Sequence, residues 1–327
     1  MSFEEEDTVE DLPALPVDDP VNAESFHESG IELGAITHRG RIRQHNEDQF
    51  AIVRRTRSGV VLSSSVDSDM LHSGEESAWL LTVADGLGGQ VCGEVASATA
   101  IESIMNFASE MSSWVMRPAE NLREDIAKRV DLYSSAIKRD LRAKAESDPE
   151  LAGMATTLTA AYVYGGSAVV VNVGDSRSYL LRGDEIQQIT RDHTLAQDLL
   201  DAGVSAESTR SYQNVLTRCF GTDGEPVAVD VFHLQLETDD RILLCSDGLT
   251  DMVSDEQIQQ LVASSDSTQS ACEELVQHAL NAGGRDNVTV VLAHMLECPR
   301  REPSEAEAPE TRSTDEAESD HGSFSVT

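Results

Sequence analysis

Four carboxylates in this sequence sit where an apolar run begins or ends. Asp85 with Gly86 follows WLLTVA, Asp175 follows VVVNVG, Asp247 with Gly248 follows ILLCS, and Asp286 with Asn287 precedes VTVVLA. Any one of these pairs alone reads as turn punctuation, since Gly, Asn and Asp suit the backbone angles of a turn. Four of them carry more information. A carboxylate at a strand end is held by a rigid scaffold yet reaches out of it, and an adjacent Gly lets backbone carbonyls approach a ligand closely. Hard divalent cations want oxygen ligands, and a close pair of them can steady an in-line displacement at phosphorus. Upstream, Gly40-Arg41-Ile42-Arg43-Gln44-His45-Asn46-Glu47-Asp48 places Glu47 and Asp48 just before a strand, with Arg43 four residues before Glu47. An arginine there could fork onto a phosphoryl group, and the plainer alternative is a solvated salt-bridge turn.

Other chemistries lack their residues. The nine histidines are dispersed, with no H-x-x-x-H or H-E-x-x-H, so a zinc protease is not supported, and a carboxylate set fits Mg²⁺ or Mn²⁺ better than Zn²⁺. Neither G-x-x-x-x-G-K-[ST] nor a strand-following G-x-G-x-x-G occurs, which leaves nucleotide use unsupported. None of the five cysteines is followed by Arg at the C-x₅-R spacing, so a thiolate nucleophile in a phosphate loop is absent.

The elements that must hold these residues can be read from periodicity. Strand-like runs rich in β-branched residues fall at 49–53, 59–62, 78–84, 157–164, 168–173, 178–182, 241–245 and 287–293. Two long helices are expected between the third and fourth of these. One is marked by Ile101, Ile104, Met105, Ala108 and Met111, the other by Ile126, Val130, Tyr133, Ile137 and Leu141. Shorter helices follow near 255–263 and 268–281, the first opened by Ser254 and Gln257 in a capping-box spacing. Strands and helices thus come in blocks, which disfavours a strict βαβ parallel sheet. The expected class is α+β, a layered sandwich of antiparallel sheets covered by helix pairs.

The chain's 327 residues suffice for one large domain or two modest ones. Its formal charge of -35 argues against a nucleic-acid or anionic-lipid partner. The ends account for -10 (residues 1–30) and -5 (residues 299–327), which leaves -20 for residues 31–298. Both ends combine acids with prolines and little periodicity, so an acidic, disordered leader over 1–30 and a matching tail over 299–327 are expected. Residues 63–77 read as a polar surface loop inserted between two strands. Scattered cysteines and the absence of a signal sequence or a long apolar run point to a cytoplasmic chain with no membrane anchor.

Seven blocks in order resemble one family, the metal-dependent protein phosphatases of the 2C type, in a compact bacterial-type form. They are GRIRQHNED (40–48), VADGLGG (83–89), GMATTLTAA (153–161), NVGDSRSYL (172–180), RDHT (191–194), LCSDGLTD (244–251) and GGRDNVTVV (283–291). The resemblance covers nearly all of residues 31–295 and implies a four-layer α/β/β/α sandwich, two antiparallel β-sheets packed face to face and flanked by helix pairs. It implies two Mn²⁺ or Mg²⁺ ions bridged by Asp85, one also held by the Gly86 carbonyl, Glu47 and Asp48, the other by Asp247 and Asp286. Asp175 matches the position that helps hold a third ion, and Arg43 the arginine that grips the substrate phosphate. Thr156 and Thr157 are expected to serve the scaffold, Asn287 to be a turn or supporting residue, and Arg39 and Arg41 to be surface charges.

The activity the resemblance implies is hydrolysis of phosphoserine and phosphothreonine by direct attack of a metal-bridged hydroxide, without a phosphoenzyme. The implied partners are phosphorylated Ser/Thr proteins, and Ser/Thr kinases whose action the phosphatase opposes; the chain is expected to be a monomer. Many eukaryotic members carry His after the first Asp-Gly; Leu87 stands here, as in bacterial-type members, which leaves the general acid unassigned. Metal-bound water is the first expectation and His193 the second, with His193 kept out of the site as a capping or packing residue. Residues 195–220 correspond to the family's variable flap segment, expected to tune substrate choice. Two alternatives stay open: a catalytically silent regulatory module of the same fold, and a phosphohydrolase of small molecules.

Overall fold

The computed structural model describes residues 21–28, 30–57, 76–88, 92–110, 122–222 and 226–298. The first half of the chain forms β1 (Val21–Glu28), β2 (Ile31–His38), β3 (Asp48–Arg57), β4 (Glu76–Leu87), α1 (Cys92–Glu110), α2 (Leu122–Ser147), β5 (Ala155–Thr156), β6 (Leu158–Tyr164) and β7 (Ser167–Val173). The second half forms β8 (Arg177–Arg182), β9 (Glu185–Gln188), α3 (Leu195–Asp201), α4 (Ala206–Thr209), β10 (Phe220–Gly221), β11 (Asp230–Gln235), β12 (Arg241–Cys245), α5 (Asp247–Thr250), α6 (Asp255–Ser264), α7 (Thr268–Asn281) and β13 (Val288–Met295).

Two antiparallel sheets result, one of six strands in the order β1-β2-β13-β12-β8-β9 and one of seven, β10-β5-β4-β6-β7-β11 with β3 also paired to β4. Side-chain alternation makes them layers. On β12, Leu243 and Cys245 enter a core with α6 and α7, while Ile242 and Leu244 enter a second core with Leu81, Val83, Ala161 and Val170 of the other sheet. A third core sets Ala96, Ala100 and Ile104 of α1 and Ile137 and Leu141 of α2 against Ala84, Leu158 and Val173. Three cores between four layers give the α/β/β/α sandwich. Leu244 is fully buried between the sheets, where truncation to Ala costs about 2–5 kcal/mol.

Local chemistry matches the boundaries. The Ser254–Gln257 capping box is present at the start of α6, and Ser267–Ser270 forms a second one at α7; a lost cap costs about 1 kcal/mol. Helix α1 starts nine residues before the expected apolar stripe, because its first turns carry the small residues ASATA, which lie close against β4 and show no large-residue period. All five cysteines are free thiols.

The leader expected over 1–30 needs correction: residues 21–28 form edge strand β1, antiparallel to β2. Glu76 and Ser77, assigned to the polar loop, begin β4 instead. The expected strand at 59–62, the rest of the 63–77 loop, residues 1–20 and the tail 299–327 lie outside the described residues. Among the described residues no helix is long and apolar enough to cross a membrane.

Candidate metal centre

β3 and β4 pair so that Asp48 stands directly opposite Asp85. The Asp85 backbone is pinned on its other side. Its N–H donates to Thr157 Oγ1 at 2.9 Å, and its carbonyl accepts from Thr156 Oγ1 at 2.9 Å and from the Thr157 amide at 2.8 Å. The two threonines expected to serve the scaffold therefore fix the backbone of the residue expected to bridge two ions. Leu87 ends β4 opposite Ala155.

Asp48 is buried, and its Oδ2 accepts from Ser246 Oγ at 2.6 Å and Thr289 Oγ1 at 2.7 Å. Behind Thr289, Thr37 Oγ1 lies at 2.7 Å and itself accepts from Asn46 Nδ2 at 2.8 Å, a relay of donors aimed at one oxygen. The other oxygen, Asp48 Oδ1, is buried with no hydrogen-bond partner, and so is Asp247 Oδ1. An orphaned buried carboxylate oxygen costs free energy unless something positive meets it.

The loop carrying Arg43 and Glu47 is tied to β13 by Asn287. Its Oδ1 accepts the Glu47 amide at 2.8 Å, and its Nδ2 donates to the carbonyls of Arg39 at 2.9 Å and His45 at 2.8 Å. The Glu47 carbonyl accepts from the Gly86 amide at 3.2 Å and from Ser97 Oγ at 2.6 Å. A Cβ at Gly93 would strike the Glu47 carboxylate, and one at Gly86 the Gly93 and Glu47 carbonyls, so two glycines leave room for the acid. Arg43 donates to Asp286 Oδ2 at 2.6 Å, on the exposed rim.

Electrostatics shows which groups share a neighbourhood. Burial pushes the Asp85 carboxyl well above the ordinary carboxylate range, and the charges of Asp48, Asp247, Asp175 and Asp286 push the same way. Asp247 is raised by burial and then by Asp175, Asp286, Asp251 and Asp48. Burial brings Asp48 to about 6 against the pull of its two hydroxyls, and Asp175 to about 7, with Asp192 and Asp251 adding to the rise. Glu47 rises through burial, with Arg43 opposing and Asp286 reinforcing. Like charges crowded in a low dielectric disfavour ionisation, and a cation reverses that preference.

The expected acids come from the lead-in to β3, β3, β4, the β7–β8 turn, α5 and the β13 lead-in, and several are near enough to shift one another's ionisation. They influence one another without closing into a cage; among the described residues no three His, Cys, Asp or Glu side chains form a ready-made one. Oxygen-only donors, two orphaned carboxylate oxygens and mutual repulsion fit hard divalent ions in type. Asp192 and Asp251 were not singled out from sequence. Asp251 lies one helical turn after Asp247, a spacing that signals a shared face.

Residues 63–296, more than half of the chain, match the family model described as protein phosphatase 2C. The chain belongs to the protein phosphatase 2C family. It is 34% identical over 259 residues to the serine/threonine phosphatase Stp of Listeria innocua, covering 78% of this chain and 92% of that one. Against the serine/threonine protein phosphatase PstP of Mycobacterium tuberculosis it is 37% identical over 244 residues, 74% of this chain and 44% of PstP. The crystal structure of M. tuberculosis PstP superposes with a TM-score of 0.65 at 32% identity, covering 82% of this chain and 100% of the other. A structure of the PstP catalytic domain in complex with two manganese ions gives 0.63 at 32% identity, with 82% and 99% covered. The family match spans Asp85, Gly86, Asp175, Asp247 and Asp286 of this phosphatase 2C chain, while the loop of Arg43, Glu47 and Asp48 precedes it.

His193 is fully buried, and both ring nitrogens are engaged: Nδ1 lies 3.1 Å from the Gly174 amide and Nε2 3.1 Å from Asp230 Oδ2.

Proposed function

We propose that this chain is a metal-dependent protein serine/threonine phosphatase that hydrolyses phosphoserine and phosphothreonine by direct attack of activated water. The observation that carries this reading is the pairing of Asp48 opposite Asp85, with Asp48 Oδ1 and Asp247 Oδ1 buried and without hydrogen-bond partners and Arg43 on Asp286 at the rim. Support comes from the family, and from relatives named serine/threonine phosphatases.

Asp85, the Gly86 carbonyl, Glu47, Asp48, Asp247 and Asp286 would hold two Mn²⁺ or Mg²⁺ ions, and Asp175 would help hold a third. When bound, such ions lower the pKa of water and neutralise charge on phosphoryl oxygens. The chain's own residues do the rest. Thr156 and Thr157 fix the Asp85 backbone, while Ser246 and Thr289 orient Asp48 so that Oδ1 stays available. Asn287 sets the loop from which Arg43 reaches the phosphoryl group, and a guanidinium fork matches two of its oxygens. No cysteine nucleophile is needed; the buried thiols of Cys245 (about 12) and Cys272 are pushed above the range of reactive ones. The phosphatase would act in the cytoplasm as a monomer, on proteins phosphorylated by Ser/Thr kinases.

Phosphate release from phosphoserine, phosphothreonine and phosphotyrosine peptides, with and without Mn²⁺ and beside an Asp85→Asn control, tests the proposal. Mn²⁺-dependent release from the first two, lost in Asp85→Asn, is expected. No release at all would point to a silent binding module, and release only from small phosphomonoesters to a different substrate class.

A further inference from the structure

Gly174 immediately precedes Asp175 and is gripped from two sides. A Cβ there would collide with Thr157, whose hydroxyl holds the Asp85 amide, and its φ of +114° suits glycine. On the other side, the Gly174 carbonyl accepts the His193 amide at 2.9 Å, and the Gly174 amide donates to His193 Nδ1 at 3.1 Å. With Nδ1 accepting, the ring proton sits on Nε2 and points at Asp230 Oδ2, 3.1 Å away. Asp230 Oδ1 in turn accepts from Arg218 Nη1 at 2.8 Å. Arg218 lies at the return of the flap segment, whose Thr217 amide donates to the His193 carbonyl at 2.8 Å and whose Leu216 bridges Thr194. Asp230 begins β11 directly opposite Asn172, two residues before Gly174. An unbroken series of contacts therefore runs from the flap through Arg218, Asp230 and His193 to the backbone that carries Asp175.

We propose that His193, Asp230 and Arg218 are positioning residues that couple the flap to Asp175, so that the order of the flap base and the affinity of the ion held by Asp175 change together. The inference rests on Asp175 being a ligand, as the proposed function has it. Residues behind a metal ligand that fix its orientation are worth about 10–100-fold in metal affinity. Gly174 is the point of transmission, because its amide and carbonyl both end on the same histidine. An exposed salt bridge by itself contributes little, but Asp230 here also bonds a buried ring.

The test uses the full chain and Mn²⁺ alone. Because His193 is buried, Arg218→Ala and Asp230→Asn serve as the disrupting variants, with Arg218→Lys as the conservative one. Isothermal titration with Mn²⁺ is expected to show the weakest binding step lowered about tenfold in both disrupting variants, the tighter steps unchanged, and partial recovery in Arg218→Lys. Hydrogen exchange without metal is expected to show the Gly174 and Thr217 amides losing protection together. An unchanged weak step in folded Arg218→Ala and Asp230→Asn, beside an Asp175→Asn variant that abolishes that step, would overturn the coupling. If Asp175→Asn leaves every step intact, the ligand reading of Asp175 fails instead, and the linkage is judged on exchange alone: independent behaviour of Gly174 and Thr217 overturns it.

Discussion

Arg43 Nη2 lies 2.6 Å from Asp286 Oδ2, an ion pair between the guanidinium proposed to hold a phosphoryl group and a carboxylate proposed to hold a cation. Both partners are partly exposed, at 55% and 30% of their side chains, so the pair can open without a large loss of stability. In the proposed mechanism a phosphoryl group would draw Arg43 and a cation Asp286 away from this pair.

Arg43→Ala is therefore expected to lower kcat/KM for phosphopeptides by on the order of 10²–10³ while sparing the fold. Arg43→Lys should recover only part, because an ammonium cannot fork onto two oxygens. Steady-state kinetics with a circular-dichroism control checks both. A loss of less than twofold in Arg43→Ala would remove Arg43 from the site.

Thr157→Val removes the acceptor for the Asp85 amide and leaves the shape nearly unchanged. Metal affinity is expected to fall by about 10–100-fold, with kcat largely regained at saturating Mn²⁺. Titration calorimetry reads the affinity directly, and an unchanged isotherm would show that Asp85 holds its position unaided.

Much of this site was legible because its acids sit at strand ends. The bounds expected for β12 (241–245) and α7 (near 268–281) coincide with those observed, and the Ser254–Gln257 cap expected for α6 is present. β2, IELGAITH, was missed because Glu32 and Gly34 interrupt its apolar face, and Gly34 is required where α7 packs too close for a Cβ. β11, DVFHLQ, was missed because His233 and Gln235 interrupt any continuous apolar run. Asn287 was placed near the site, but its three bonds to the Arg43 loop join segments about 240 residues apart, which no local pattern encodes. The same holds for Ser246 and Thr289 on Asp48.

Gly86→Ala is expected to destabilise by about 1–3 kcal/mol or more, because its Cβ would meet the carbonyls of Gly93 and Glu47, which are backbone and cannot swing aside. Thermal unfolding with and without Mn²⁺ measures it. A wild-type Tm would mean that α1 stands farther from β4 than described.

Asp175 has a folded-state pKa raised to about 7 by burial and neighbouring acids. Its contribution to the stability of the metal-free chain is fully present below the unfolded value of about 4 and lost as pH rises through the folded value. In EDTA, Asp175→Asn should match wild type near pH ~4 and exceed it in Tm by on the order of 5 °C at pH ~8. A difference that does not change with pH would mean that Asp175 carries no such repulsion.

If the proposed function holds, separate segments bring Asp85, Asp247 and Asp286 around a common pair of divalent ions beside Arg43. Anomalous diffraction at the manganese edge, from crystals grown with Mn²⁺, tests it most directly. Two strong peaks that share Asp85 are expected, one toward Glu47 and the Gly86 carbonyl, the other toward Asp247 and Asp286. Peaks elsewhere on this acidic surface, with none at Asp85, would contradict it.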